Sequence, residues 1–412
     1  MLYQLHEMQR TFLNPLMQWA EASSKLFSNP VSPFAHTPFS QRIAAGYELL
    51  YRLGKDYEKP AFGIDTTTIK GKQTIGVLEH VAVNKPFCRL IHFKKDIGDK
   101  EFKALKQPTV LLVAPLSGHH ATLLRDTVRG LLPEHDVFIT DWTDARMVPL
   151  SEGPFHLDDY IFYVQDFIRH LGPDLHVISV CQPTVPVLAA ISLMATNKDP
   201  KLPKTMTMMG GPIDPRKSPT AVNNLAVEKP YSWFENTVVY PVPPNYPGFG
   251  RKVYPGFLQH AGFIAMNPGR HAQSHREFYM HLVKGDDEPA ESHRKFYDEY
   301  NAVLDMPAEY YLDTIKTVFQ EHRLPLGTWE VGGQLVRPQD ITNVALLTVE
   351  GELDDISGAG QTQAAHELCS GIPADMQEDY VVPQAGHYGI FSGRRWRELV
   401  CPKISQFIRQ HG

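Results

Sequence analysis

Apolar residues recur at helical spacing near the N-terminus. Leu5, Met8, Phe12 and Leu16 follow one another at intervals of three or four with mostly polar residues between them. This spacing predicts an amphipathic helix, in which Pro15 is expected to introduce a kink or a break. The apolar face of such a helix either packs against the rest of the protein or binds a surface, and packing is the commoner outcome.

Farther along the chain, strand patterns begin to alternate with helical ones. Two β-rich runs, 74–78 and 88–93, predict an antiparallel pair that opens a sheet. Buried-strand runs follow at 110–114, 137–140, 176–180 and 205–209, and again at 344–349 and 379–382, with helical patterns between them. Alternation of this kind predicts βαβ crossovers and a mainly parallel sheet with helices on both faces.

The alternation is interrupted once, between the strands predicted at 205–209 and 344–349. About 130 residues lie between them, and a structureless loop of that length is improbable inside a compact domain. The interruption therefore predicts an inserted cap subdomain. The expected organisation is an N-terminal helical segment (1–60), a first part of the sheet domain (61–214), the cap (215–340) and a second part of the sheet domain (341–412).

Composition narrows the possible functions. The 412 residues carry a net charge of -6 without a run of Lys and Arg, which argues against a nucleic-acid binder. No stretch is apolar enough to predict a membrane-spanning helix, and the N-terminus lacks the basic start and apolar core of a signal peptide, so we expect a cytoplasmic protein. The four cysteines are widely spaced, and we expect no disulfide framework, metal or cofactor.

Cys181 is the strongest candidate for a nucleophile. It directly follows the strand predicted at 176–180 and precedes a helical pattern, so the turn between them would present the thiol at the carboxyl edge of the sheet. A free cysteine is usually an inert, small apolar residue, but this position favours catalysis. Ser179, two residues before, is small as such a turn requires, whereas Pro183, two residues after, is accommodated only if it begins the helix.

A base and an acid follow in the chain order that this type of site requires. His387 lies in a glycine-rich loop just after the last predicted strand. The acid lies after the strand at 344–349, where Glu352, Asp354 and Asp355 compete. The pattern Gly-x-x-Asp-x-Ile favours Asp354, with Asp355 as the alternative.

An acyl-transfer reaction also needs donors for a developing oxyanion. The N–H of Gln182, the residue after the nucleophile, is one expected donor. The second is expected in the loop after the strand at 110–114, from Leu116 or Ser117. The residues alone therefore predict a cysteine-dependent acyl-transfer enzyme with a large cap.

Several segments resemble the intracellular poly(3-hydroxybutyrate) depolymerases of bacteria. They are Met1-Leu-Tyr-Gln-Leu, Ala114-Pro-Leu-Ser-Gly-His, Val180-Cys-Gln-Pro, Gly351-Glu-Leu-Asp-Asp and Gly386-His-Tyr-Gly. The resemblance implies an α/β-hydrolase fold related to that of the polyhydroxyalkanoate synthases, with the family's Cys, Asp and His at Cys181, Asp354 and His387. It also implies a protein associated with polyester granules that releases 3-hydroxybutyrate monomers or oligomers through an acyl-thioester.

Two alternatives remain open from the residues. One is a synthase-like acyltransferase, although synthases usually carry glycines where Ser179 and Pro183 stand, and the other is a non-catalytic granule protein. In either case the polymer surface must be recognised through apolar area, because a polyester is neutral. The candidates are the N-terminal helix and the aromatic part of the cap, where we expect Trp233, Phe234 and Tyr240 to contact substrate. The oligomeric state is not predicted.

Overall fold

The computed structural model describes residues 2–29, 31, 37–69 and 73–412. Of the predicted N-terminal segment, residues 1, 30 and 32–36 therefore lie outside the described residues, as do 70–72. The strands in chain order are β1 (Thr66–Ile69), β2 (Gln73–Lys85), β3 (Cys88–Lys95), β4 (Thr109–Val113), β5 (Asp136–Trp142), β6 (Leu175–Val180), β7 (Thr205–Met209), β8 (Tyr240–Pro241), β9 (Lys252–Tyr254), β10 (Met306–Pro307), β11 (Glu330–Val331), β12 (Gln334–Leu335), β13 (Ala345–Gly351) and β14 (Gln377–Val382).

The helices connect these strands and extend the chain at both ends. They are α1 (Leu2–Ser28), α2 (Pro38–Gly54), α3 (Asp99–Leu105), α4 (Arg125–Leu131), α5 (Leu157–Leu171), α6 (Thr184–Thr196), α7 (Ala221–Glu228), α8 (Tyr231–Thr237), α9 (Gly256–Met266), α10 (Pro268–Lys284), α11 (Asp287–Tyr300), α12 (Ala308–Thr314), α13 (Ala365–Leu368), α14 (Gly393–Arg395) and α15 (Cys401–His411). Short π-helical segments, Ile315–Gln320 and Trp396–Val400, follow α12 and precede α15.

In the described part of the chain, nine strands form the central sheet, in the order β1-β2-β3-β5-β4-β6-β7-β13-β14. The first three strands and the β3–β5 contact are antiparallel, whereas β5, β4, β6, β7, β13 and β14 are parallel to one another. The mainly parallel sheet predicted from the sequence is thereby confirmed, and with it the α/β-hydrolase fold. Strand β1 is the element of this sheet that the sequence pattern did not predict.

Alternate side chains of the central strands point to opposite faces, and each face is covered by helices. Leu111 packs in the apolar cluster that includes Val164 of α5. Leu112 packs in the opposite cluster, which includes Val128 of α4 and Phe407 of α15. Because both faces are buried, the strands are continuous apolar runs rather than alternating ones.

The N-terminal segment forms a helical hairpin of α1 and α2. The Ser24 hydroxyl donates to the Ala44 carbonyl at 3.1 Å, and the rings of Trp19 and Tyr47 meet edge to face at 4.9 Å. The break predicted at Pro15 does not occur, because α1 continues through it as one helix of 27 residues. Buried side chains lie on both sides of the proline, so both halves of the helix are packed against the protein.

This hairpin is attached to the segment between β7 and β13. The Tyr3 hydroxyl donates to Asp305 at 2.6 Å, and Arg52 of α2 pairs with Asp298 of α11 at 2.8 Å. Arg294 of α11 pairs with Glu48 of α2 at 2.7 Å. The hairpin therefore lies against the inserted segment, where α2 packs on α10 and forms ion pairs with α11.

The segment between β7 and β13, where the sequence predicts a cap, contains α7 to α12 and five short strands. Its last helix, α12, is also part of the main core, since the ring of Tyr310 stacks on Tyr160 of α5 at 5.4 Å. The insertion thus reaches from the protein surface down to the sheet. No helix among the described residues is long and apolar enough to cross a membrane.

Candidate active site

Cys181 occupies the sharp turn between β6 and α6. Its φ of 68° lies in the left-handed region, which non-glycine residues adopt at a cost and chiefly where structure around them enforces it. The Cys181 N–H donates to the Met209 carbonyl of β7 at 2.7 Å, and its carbonyl accepts from Thr184 at 3.1 Å. The half-buried thiol is thereby held at the carboxyl edge of the sheet.

Two glycines at the end of β7 make room for this turn. A Cβ at Gly211 would lie 1.8 Å from the Thr184 hydroxyl and 2.4 Å from the Cys181 carbonyl oxygen, which no side chain could tolerate. Gly210 has a φ of 55°, and a Cβ there would lie 3.2 Å from Cε1 of His387. The space that the turn at Cys181 requires is thus provided by Gly210 and Gly211, which follow the neighbouring strand β7. Pro183 adopts helical backbone angles at the start of α6.

Asp354 and His387 face each other beyond β13 and β14. Nδ1 of His387 lies 2.8 Å from Oδ2 of Asp354, and both side chains are almost fully buried. The other oxygen, Oδ1, accepts from the backbone N–H groups of Ile356 and Ser357 at 2.9 Å each. The carboxylate is therefore fixed in one orientation with its free oxygen directed at the imidazole.

The two competing carboxylates lie elsewhere. Asp355 is exposed, and Glu352 is an exposed residue that accepts from the backbone N–H of Gln384 at 2.7 Å. Of the three, the structure brings only Asp354 within hydrogen-bond distance of His387 among the described contacts. This is the arrangement that the Gly-x-x-Asp-x-Ile pattern favours.

The pKa of His387 reflects two neighbours, Cys181 and Asp354. Burial by itself would lower the pKa of His387, but negative charge at Cys181 and then at Asp354 raises this pKa well above its usual range. Hydrogen bonds to both residues act in the same direction. The raised pKa favours the protonated form of His387, the form that can give a proton to a leaving group.

The candidate oxyanion donors come from adjacent strands. Val113 of β4 is in register with Ser179 of β6, so the loop after β4 and the turn at Cys181 leave the sheet side by side. Leu116 is buried, and its carbonyl accepts from the Gly118 N–H at 2.9 Å, which forms a tight turn. Leu116 and Ser117 thus lie on the loop that follows β4, and the turn that carries Cys181 and Gln182 follows the adjacent strand β6.

Aromatic side chains of the insertion meet the loop that carries His387. The ring of Tyr388 lies 6.4 Å from those of Tyr300 and Phe296, and these two rings stack at 5.4 Å. Phe263 of α9 stacks on His119 at 5.0 Å, and His119 contacts Tyr300. We call these five residues the aromatic roof.

The aromatic roof was not identified from the sequence. Its residues come from four separate segments, and only the position of Tyr388 next to His387 could have indicated a role. Burial raises the pKa of Tyr300 to about 12 and lowers that of His119 to about 4, so both side chains are neutral near pH 7. The roof therefore presents an uncharged, mainly apolar surface.

The aromatic residues that the sequence favoured for substrate contact lie in other places. Phe234 is buried in a small cluster of the insertion with Leu312, against which Trp233 packs. Tyr240 packs near Tyr3 of α1, and its hydroxyl donates to the Thr237 carbonyl at 3.0 Å. The structure thus gives Phe234 a packing role and leaves Trp233 and Tyr240 partly exposed within the insertion.

One family model matches the chain. It is described as PHB de-polymerase C-terminus and covers residues 210–412. This range includes Asp354 and His387 and begins at the glycine pair beneath the elbow, whereas Cys181 precedes it. No curated protein sequence matches the chain.

Solved structures of hydrolases are similar to the chain at low identity. A putative lipase from Acinetobacter baumannii is 12% identical over 81% of this chain and 93% of its own, with a TM-score of 0.44. The 2-hydroxy-6-oxo-6-phenylhexa-2,4-dienoate hydrolase of a Rhodococcus strain is 12% identical over 81% and 99%, with the same TM-score. A monoacylglycerol lipase from Paleococcus ferrophilus is 12% identical over 74% and 95%, again with a TM-score of 0.44.

Proposed function

We propose, on the premise that the chain belongs to the poly(3-hydroxybutyrate) depolymerase family through residues 210–412, that it hydrolyses this polyester with Cys181 as nucleophile. The observation that carries the proposal is the alignment of Cys181, His387 and Asp354 at the carboxyl edge of the sheet. A nucleophile, a base and an orienting acid in this order perform acyl transfer.

The reaction follows from the positions of these groups. The sulfur of Cys181 attacks an ester carbonyl, and backbone N–H groups of Gln182 and of Leu116 or Ser117 stabilise the oxyanion. The tetrahedral intermediate collapses as the C–O bond breaks, and His387 gives its proton to the departing alkoxide. This leaves an acyl-thioester on Cys181 and a shortened polymer with a free hydroxyl.

Water completes the turnover. His387, now neutral, takes a proton from a water molecule that attacks the thioester carbonyl, and the acid is released as the sulfur departs. Asp354 keeps the imidazole oriented throughout, because its own position is fixed by two backbone N–H groups. The products are 3-hydroxybutyrate monomers or oligomers.

An insoluble polymer must also be held at the protein surface, and α1 supports that role. Leu5, Met8, Phe12 and Leu16 are 59, 57, 78 and 44% exposed, and Trp19 continues the row at 52%. Exposed apolar residues at this spacing form a contiguous stripe rather than scattered positions. We call it the α1 stripe, and we assign it to the surface of the polyester granule in the cytoplasm.

Incubation of the purified protein with native amorphous granules tests the proposal. Release of soluble 3-hydroxybutyrate products is expected. Polymer growth in the presence of a hydroxyacyl-CoA would instead indicate a synthase-like acyltransferase. Sedimentation with granules without either reaction would indicate a non-catalytic granule protein, and both of these results would contradict the proposed hydrolysis.

A further inference from the structure

The side chain of Gln182 contains a hydrogen-bond donor that the folded protein does not use. Gln182 is 6% exposed, and its Nε2 atom is buried without a hydrogen-bond partner among the described residues. Buried donors are nearly always paired, because desolvating an amide N–H without replacing its hydrogen bond costs free energy. An exception next to a candidate nucleophile requires an explanation.

The other end of the same amide is firmly held. Oε1 of Gln182 accepts a hydrogen bond from the hydroxyl of Tyr310, a fully buried residue of α12. Tyr310 lies close enough to Cys181 for negative charge there to help burial raise the tyrosine pKa. Since Oε1 is engaged on the Tyr310 side, Nε2 is directed away from Tyr310 with both of its N–H groups free.

The polyester offers the complementary chemistry. Within the chain it contains ester oxygens only, which accept hydrogen bonds and cannot donate them. We infer that Nε2 of Gln182 donates to the carbonyl oxygen of the ester next to the scissile one, on the acyl side. This inference rests on the proposed function.

The choice of the neighbouring ester follows from counting donors and bonds. A carbonyl oxygen has two lone pairs, and the scissile carbonyl already has two backbone donors in the proposed oxyanion hole. Successive carbonyl carbons of the polymer are four bonds apart, and the backbone nitrogen of Gln182 is five bonds from Nε2. One residue can therefore donate from its backbone to the scissile ester and from its side chain to the next.

Two substrates separate this role from a purely structural one. The ester p-nitrophenyl 3-acetoxybutyrate contains a neighbouring ester carbonyl, whereas p-nitrophenyl butyrate does not. Gln182→Met keeps the length of the side chain and removes the donor. We expect the ratio of kcat/KM for the acetoxy substrate to kcat/KM for the butyrate to fall about tenfold, as for one lost hydrogen bond.

A double variant controls for misfolding of the single variant. Gln182→Met alone deprives the Tyr310 hydroxyl of its acceptor, so Gln182→Met is also combined with Tyr310→Phe. Replacing both partners by apolar groups is close to neutral for stability, and it also removes the unpaired donor. We expect a melting temperature equal to or above that of the wild type together with the same substrate-specific loss.

The activities on the two substrates separate the inference from the alternatives. An equal loss on both substrates would place the amide at the scissile carbonyl or in the packing and would overturn the inference, as would no loss on either. A wild-type protein that cleaves neither substrate would instead contradict the proposed hydrolysis.

Discussion

Replacement of Phe12 by serine tests whether the α1 stripe holds the protein on the polymer. Phe12 is 78% exposed, the highest value in the stripe, so its removal costs the fold little. Full burial of such a side chain is worth about 2 kcal/mol, and nearly all of that remains available for binding. Phe12→Ser should therefore weaken granule binding about 20-fold.

Co-sedimentation with native granules measures this change. Cys181→Ala is included in every protein so that the polymer is not consumed during the assay. Leu78→Ser is the matched control, because Leu78 is 55% exposed, close to Leu5 of the stripe, but lies on β2 of the central sheet. Circular dichroism checks that α1 remains helical in Phe12→Ser.

The salt dependence of granule binding tests whether apolar contacts hold the protein on the polymer. Apolar contacts persist or strengthen in concentrated sulfate, whereas ion pairs weaken as charges are screened. If the wild-type protein is released from granules by high salt, or if Phe12→Ser and Leu78→Ser bind equally, the α1 stripe is not the binding surface.

The remaining predictions concern the catalytic centre. Cys181→Ala should lower the rate of hydrolysis by about 10^4-fold or more without unfolding the protein, and more than a tenth of the activity remaining would exclude Cys181 as the nucleophile. The same variant should lower the pKa of His387 in an NMR titration, because a negative charge beside the imidazole is removed. Asp354→Asn should severely reduce kcat, because an amide at this position favours the wrong tautomer of His387. Asp355 is exposed, so Asp355→Asn should reduce kcat only slightly. If steady-state kinetics gave the larger loss for Asp355→Asn, Asp355 would be the acid instead of Asp354. Gly211→Ala should unfold or inactivate the protein, because its Cβ would overlap the turn at Cys181. Gly46→Ala in α2 is the control, since a Cβ there meets nothing within 4 Å, and it should raise the melting temperature slightly. A stable, active Gly211→Ala protein would show that the turn at Cys181 can shift.

Local sequence pattern was sufficient to predict the strands and turns that carry the candidate triad. The turn at Cys181 follows a buried strand directly, and His387 follows the last strand, so chain order alone placed both residues at one edge of the sheet. The choice of Asp354 rested on a short pattern, and its contact with His387 agrees with that choice.

The aromatic roof could not be predicted in the same way. Tyr300 ends a helix of the insertion, and its contact with Tyr388 depends on how that insertion folds back over the sheet edge. Density of aromatic residues in the sequence favoured Trp233 and Phe234 instead, but an aromatic residue is as useful in a small core as on a surface, and Phe234 is buried in one. Composition does not distinguish these two uses.

The four cysteines differ in accessibility, so a thiol reagent can measure how many molecules carry an intact candidate site. Cys88, Cys369 and Cys401 are buried, and burial raises the pKa of Cys369 to about 12 and that of Cys401 to about 11, while Cys88 is raised well above its usual range. Only Cys181 is partly accessible among them, and thiol alkylation requires both access and a thiolate. One equivalent of iodoacetamide per folded chain should therefore label the elbow alone, which makes the reagent a titrant for the concentration of competent enzyme in any preparation.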